Sequence, residues 1–322
     1  MNKIFYHPDR LWLYAQNKLV QPITIELHIT NACNNSCYYC YSKDRFDGYI
    51  TPEGEIQMIM YKLKSMGVKG LVFSGGGEPT LHSRLTDILK FGYELDFNQG
   101  LVTNGILFDK EFLKYLEWVR FSFDTPDDRV YKTICGTDKQ NTVLKHIEKA
   151  VEVRNELGIN TAIGINMVIT PENYHQILWM ITVAESIGVD YFQFVFANNI
   201  DYPETITIAI NLTKKEIMER QNKINIFMPK NIEKINVTSC PGADFFGTVD
   251  CYGNFYICRH HVGDESACYG NILKVDLLDE LLQKRHMIQK KFDYSKCPTP
   301  CRGYEINKAL NEYKYKQNID FI

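Results

Sequence analysis

From about residue 22 to residue 200, short β-branched or aromatic runs alternate with segments of helical period, and this alternation constrains the fold more than any other feature. The strand candidates are ITIELHI with its core at 24–29, GLVFS (70–74), GLVTN (100–104), WVRFSF (118–123), AIGINMVI (162–169) and DYFQFVF (190–196). Between the first two, Ile56, Ile59, Met60, Leu63 and Met66 fall at helical spacing behind Thr51-Pro52, which reads as an N-cap followed by proline at the first helical position. Val143, Leu144, Ile147, Val151 and Leu157 line a second helix, and Ile177, Leu178, Ile181, Ala184 and Ile187 a third. Strands that alternate with helices pair in parallel, so six repeats predict an α/β fold, an open, partial (β/α)6 TIM-like barrel.

After Ala197 the alternation stops. Residues 201–236 read as a linker with some helix before a new strand at INVTS (235–239). Beyond it the chain is cysteine-rich, with Cys240, Cys251, Cys258, Cys268, Cys297 and Cys301 and a hairpin at TVDCYGNFYIC around Tyr252-Gly253-Asn254. A region this small needs metal to fold. The expected division is an N-terminal extension (1–21), the barrel (22–200), the linker (201–236), a small β-hairpin and helix domain (237–305) and a tail (306–322).

The chain has 322 residues and a formal charge of −3, which gives no bulk attraction to nucleic acid or anionic membrane. Pro8 and charged residues interrupt the start where a secretory signal needs an apolar core, and no stretch approaches a membrane span, so a cytoplasmic protein is expected. In a reducing compartment, clumped cysteines point to metal rather than disulfides.

Cys33, Cys37 and Cys40 follow the first strand in Asn31-Ala32-Cys33-Asn34-Asn35-Ser36-Cys37-Tyr38-Tyr39-Cys40, which places three thiols at the mouth where barrel active sites form. Three thiolates on a cubane cluster leave one iron open to an external ligand, whereas a zinc knuckle is the plainer alternative. With Gly76-Gly77-Glu78-Pro79 after the second strand, Thr103-Asn104-Gly105 after the third and Ser122-Phe123-Asp124 ending the fourth, the chain resembles the radical S-adenosylmethionine (radical SAM) superfamily, whose C-x3-C-x-aromatic-C loop is matched with Tyr39 as the aromatic.

The resemblance implies a [4Fe–4S] cluster on Cys33, Cys37 and Cys40 that binds SAM and reduces it to a 5′-deoxyadenosyl radical. It implies that Gly76, Gly77 and Glu78 hold the methionyl amino group, that Ser122 and Asn104 face the ribose, and that the Tyr39 backbone lies near adenine. Arg129 or Lys132 would meet the SAM carboxylate, with solvated surface positions as the alternative, and Asn166 is a further cofactor candidate whose alternative is a core hydrogen bond.

The C-terminal region resembles the twitch form of the SPASM extension, which implies an auxiliary iron–sulfur cluster, [4Fe–4S], on Cys240, Cys258, Cys297 and Cys301; zinc in the same site is the alternative. The C-x2-C-x5-C run of a full SPASM module is absent. Cys135, Cys251 and Cys268 are candidate hydrogen donors or small buried residues, with Cys251 or Cys268 also open as a replacement for one of the four ligands. His260 and His261 read as surface residues, and the basic run Lys284–Lys291 as a solvated helix face.

The function expected is radical oxidation or epimerisation of a small polar metabolite, a sugar, aminocyclitol or nucleoside, with a flavodoxin or ferredoxin as electron donor and neither nucleic acid nor membrane as partner. The alternatives are a maturase of a ribosomal peptide, against which stand the roughly 22 residues before the first strand, and a zinc-stabilised binding protein without radical chemistry.

Overall fold

The computed structural model describes residues 3–229, 238–298, 301 and 303–315. In chain order the elements are α1 (Pro8–Ala15), β1 (Thr24–His28), α2 (Glu53–Ser65), β2 (Gly70–Ser74), α3 (Leu85–Glu94), β3 (Asn98–Thr103), β4 (Trp118–Ser122), α4 (Asp128–Cys135), α5 (Gln140–Leu157), β5 (Ala162–Ile169), α6 (Ile177–Ile187), β6 (Tyr191–Phe196), α7 (Glu204–Glu219), β7 (Asn225–Phe227), β8 (Phe246–Val249), β9 (Asn254–Tyr256), β10 (Cys268–Asn271), α8 (Leu278–Lys291) and α9 (Tyr304–Tyr315). The six strands expected between residues 22 and 200 all form within two residues of their sequence limits. β5 matches its run end to end because β-branched and apolar residues fill all but two of its positions.

The chain divides into two compact units. One holds residues 29–50 and 72–231. Its strands β3, β4, β5, β6 and β7 are all parallel, in that order, with Val72–Ser74 of β2 beside β3. Helices pack on the outward side through Ile88 and Leu89 of α3, Val143 and Ile147 of α5, and Ile177 and Ile181 of α6, all fully buried. The expected end of the alternation at Ala197 is corrected here: α7 and β7 add one more helix and strand, and β7 pairs with β6 at Tyr191↔Asn225. The strand expected at INVTS falls largely outside the described residues.

The other unit holds the described residues of 1–28, 51–71 and 232–322, so the described parts of the expected extension, first strand, cysteine-rich region and tail are one body. β1 pairs in parallel with β8, Thr24↔Phe246 through Leu27↔Val249, and β9 and β10 continue the sheet antiparallel. Ile4, Leu11, Val20 and Ile23 pack with Phe245 and with Leu310 of α9. Thr51 does not cap α2; its hydroxyl donates to the carbonyl of Cys251 at 2.6 Å, and Pro52 stands at the cap position. Arg285, inside the run expected to be solvated, is fully buried, donates to the Val20 carbonyl and lies 3.7 Å from Asp244. Among the described residues no helix is long and apolar enough to cross a membrane.

Because Leu310 is fully buried in the Phe245 cluster, Leu310→Ala is expected to cost about 2–5 kcal/mol of unfolding free energy. Chemical denaturation checks it; an unchanged midpoint contradicts the assignment of α9 to this unit.

Candidate active site

The cysteine loop is closed at its base and docked at its tip. At the base, the Asn31 N–H and the Thr30 hydroxyl both donate to the Tyr49 carbonyl at 2.8 Å, and Thr30 bridges Ile50. At the tip, the N–H groups of Ser36 and Tyr38 donate to the carbonyls of Cys135 and Ile134, the last residues of α4. Gly136 ends that helix at φ +73°, a conformation open to glycine, and a Cβ there would stand 2.0 Å from the Ser36 hydroxyl.

The loop after β2 runs against the same segment. Gly77 N–H donates to Thr30 O at 2.8 Å and Glu78 N–H to Ala32 O at 2.7 Å. The approach is so close that a Cβ on Gly77 would lie 1.9 Å from the Ala32 carbonyl oxygen, and one on Gly76 2.2 Å from Asn31 Oδ1. The glycines are therefore required by packing as well as by any ligand.

Glu78 is buried and accepts four hydrogen bonds. Its Oε1 takes the Thr80 N–H (3.1 Å), the Thr80 hydroxyl (2.7 Å) and the Thr103 hydroxyl (2.7 Å), and its Oε2 takes the Asn104 N–H (2.7 Å). Burial pushes its pKa up, and these donors pull it back. The carboxylate thus joins the loops after β2 and β3, with the remaining acceptor capacity on Oε2. Asn104 in turn donates from Nδ2 to Asn34 Oδ1 at 2.6 Å and accepts the Ile106 N–H, so its side chain braces the cysteine loop.

Tyr39 donates its hydroxyl to Asp124 Oδ2 at 2.5 Å, while Asp124 Oδ1 accepts the Val168 N–H of β5. Burial pushes the Asp124 carboxyl up to about 6 against the opposing pull of Tyr39, Val168 and Cys135. Asp124 had no role assigned from sequence, although it ends the quoted Ser122-Phe123-Asp124 run; here it ties the loop's aromatic to the sheet. Ser122 and Asn166 are register neighbours on β4 and β5, with Gln193 of β6 next in line, so they share one face and one level. Arg129 is exposed on the first turn of α4, and Lys132 pairs with Asp138 at 3.1 Å on the surface.

The three thiols act on one another. Burial pushes Cys33 up to about 12, with Glu78, Cys37 and Cys40 adding to the rise, and Cys40 is raised by burial and by Cys37. Cys33 and Cys40, half-buried in this loop, therefore resist ionising unless a cation takes the charge. Cys135 is buried between Cys37 and Asp124, its Sγ 3.8 Å from Asp124 Oδ2.

In the other unit, Cys297 is pushed up to about 12 by burial and then by Cys301, Cys258 and Cys240, so the four thiols expected to hold a second cluster lie within electrostatic reach of one another. Cys240 is likewise raised to about 12 by burial, and the Asn307 amide donates to its Sγ at 3.5 Å. Asn307 lies in the tail that sequence left unread. His261, expected at the surface, is buried, with Nε2 3.5 Å from Cys297 Sγ, because a short 3-10 turn at Arg259–His261 rather than a strand carries it inward. Cys251 is fully buried and Cys268 half-buried. Among the described residues no three His, Cys, Asp or Glu side chains converge on the position of a single metal ion. Thiolates of a cubane cluster bind different irons and need no such convergence.

Residues 27–184 match the family model "Radical SAM superfamily". A probable GTP 3′,8-cyclase of Pyrococcus horikoshii is 32% identical over 155 residues, 45% of this chain and 49% of that protein. An S-adenosylmethionine-dependent nucleotide dehydratase of Fibrobacter sp. is 26% identical over 226 residues, 65% of this chain and 67% of that protein. The chain thus spans about half the length of the cyclase. Among solved structures, SuiB of Streptococcus suis bound to S-adenosylmethionine superposes with a TM-score of 0.68 at 18% identity, covering 86% of this chain and 69% of that one. SuiB bound to its precursor peptide SuiA gives 0.70 at 18%, covering 88% and 70%.

Gly77→Ala is expected to displace the Ala32 segment and lower SAM affinity by at least about tenfold, the scale of one lost charge-assisted hydrogen bond. Gly54→Ala, in α2 with open space around it, leaves affinity unchanged. Equilibrium dialysis under anaerobic conditions checks both.

Proposed function

This chain carries a radical SAM domain over residues 27–184, and from that premise we propose that it abstracts hydrogen from a small polar metabolite and so oxidises or epimerises it. The observation that carries the reading is the three-thiol loop locked against the Gly76-Gly77-Glu78 segment. The residues fit the implied groups: three mutually interacting thiols suit three irons of a cubane cluster, and a side-chain-free cradle beside a buried carboxylate suits the amino acid end of SAM.

When bound, the cluster supplies one electron to the SAM sulfonium, giving methionine and a 5′-deoxyadenosyl radical that takes hydrogen from an unactivated C–H bond. Cys33, Cys37 and Cys40 would hold the iron, and the backbone about Gly76 and Gly77 would receive the ammonium. Glu78 adds negative charge there, while its four hydrogen bonds fix the loops. Ser122 and Asn166, side by side, would take the ribose hydroxyls. Tyr39, held by Asp124, orients the loop that carries Cys37 and Cys40.

Cys240, Cys258, Cys297 and Cys301 would hold the auxiliary cluster, which suits oxidation because a carbon-centred radical must give up one electron. Cys268 is the candidate hydrogen donor if the reaction is epimerisation. Cys135, wedged between Cys37 and Asp124, and Cys251, fully buried, are the weaker candidates. A flavodoxin or ferredoxin would deliver the electrons. The sequence relatives' names carry GTP and nucleotide, small molecules both, which favours a metabolite over a peptide.

Iron, sulfide and zinc counted per chain after anaerobic reconstitution test the ligand sets. About eight irons, falling to about four in the variant Cys33→Ala, Cys37→Ala, Cys40→Ala, are expected for two cubane clusters. About four falling to none contradicts the second cluster.

A further inference from the structure

A cavity of about 700 Å3 lies within the unit that holds β1, β8 and α8. Its wall is built from the segment before β1, the turn that begins at Cys240 and one face of α8. On α8, Arg285, His286, Gln289 and Lys290 are spaced at i, i+1, i+4 and i+5, so one side of the helix contributes all four. Lys18 lines the same cavity, and among the described residues on its wall Asp244 carries the single carboxylate.

Arg285 is the member that packing does not explain. It is 1% exposed, yet both of its contacts, the Val20 carbonyl and Asp244 Oδ1 at 3.7 Å, are made by Nη2. Its Nε and Nη1 have no hydrogen-bond partner among the described residues. Asp244 is shared, since His286 acts on it and Gln289 donates to it. Burial pulls Arg285 below the ordinary arginine value, and Asp244 and Tyr269 offset only part of the fall. A buried cation compensated this incompletely is costly unless an anion completes its surroundings.

The charges on the wall indicate which anion. Lys18, Arg285 and Lys290 stand against Asp244, an excess of two positive charges before His286 is counted. Lys18 and Lys290 are exposed, so their long side chains can adjust to a ligand. A phosphate monoester carries about two negative charges at neutral pH and accepts from several donors at once, whereas a carboxylate would leave one cation over. The volume falls in the range of small-molecule sites and exceeds what a free phosphate ion fills, and Tyr14 and Phe292 supply apolar wall for the rest of a ligand.

We propose that this cavity binds a phosphorylated small metabolite, with Arg285 supplying the buried positive charge at the wall and Lys18 and Lys290 closing on the phosphate. The site goes beyond the hydrogen-abstraction reading and does not depend on it. Cys240 also lines the cavity, so the ligand would adjoin one of the four thiols proposed to hold the auxiliary cluster.

The test is hydrogen exchange of the anaerobically reconstituted protein, followed by mass spectrometry, with glucose 6-phosphate, glucose and inorganic phosphate as probes. Glucose 6-phosphate is expected to slow exchange in peptides covering residues 14–20 and 285–294, at concentrations about tenfold or more below any at which glucose does so. Inorganic phosphate is expected to act more weakly than the ester. Lys290→Met, at an exposed position, raises the half-saturating concentration about threefold or more, and Lys18→Met combined with it about tenfold, with thermal unfolding as the check on folding. No slowing in these peptides overturns the proposal: the cations then serve to offset a cluster held through Cys240, or Arg285 only ties Val20 to Asp244. Slowing that glucose matches, or that Lys290→Met leaves unchanged, overturns it as well. Equal action of inorganic phosphate overturns the ester in favour of the free ion.

Discussion

The architecture of the candidate site depends on one buried carboxylate. Glu78 is surrounded by donors from Thr80, Thr103 and Asn104, so a single side chain fixes the loop after β2 to the loop after β3. Asn104 carries the constraint on to Asn34 in the cysteine loop. A buried charge is expensive unless paired or fully hydrogen-bonded, and here the hydrogen bonds that offset the cost are the ones that hold three loops in register. The backbone of Gly76 and Gly77, pressed against Asn31 and Ala32, completes the brace from below. Asp124 performs the same task on the far side, between Tyr39 and β5.

This view changes the meaning of several motif residues. Asn104 and Tyr39 carry weight through what they hold in place. Cys135 contributes its carbonyl to the docking of Ser36 and its thiol to the packing of Cys37, which is a structural account of a cysteine that sequence offered as a hydrogen donor. Cys268 lies on β10 beside Tyr256 of β9.

Much of the fold was legible because its strands carry β-branched and aromatic runs: β5 is largely apolar, and β6 alternates buried Phe192, Phe194 and Phe196 with half-buried positions. β7 was not legible: three residues, Asn-Ile-Phe, carry no period, and only the open edge of β6 makes them a strand. The pairing of β1 with β8 was equally hidden, because it joins segments more than two hundred residues apart and leaves no local signature. The place of the first cysteine loop, directly after β1, was legible from chain order. Arg285 and His261 were misread for the same reason: polar residues in polar-looking segments reach the interior only through tertiary partners, the Val20 carbonyl and Asp244 for one, Cys297 and Phe292 for the other. Glu26 and His28 gave no separate signal because Ile25, Leu27 and Ile29 alone read as a strand.

The central claim is that these braced loops build a site for reductive cleavage of SAM. The direct measurement is the yield of 5′-deoxyadenosine when the reconstituted, dithionite-reduced protein meets SAM under anaerobic conditions. The account predicts 5′-deoxyadenosine and methionine in equal amounts from the wild type, and none from Cys37→Ala. A wild type with its full complement of iron that yields no 5′-deoxyadenosine, or a Cys37→Ala variant that yields as much as the wild type, contradicts it.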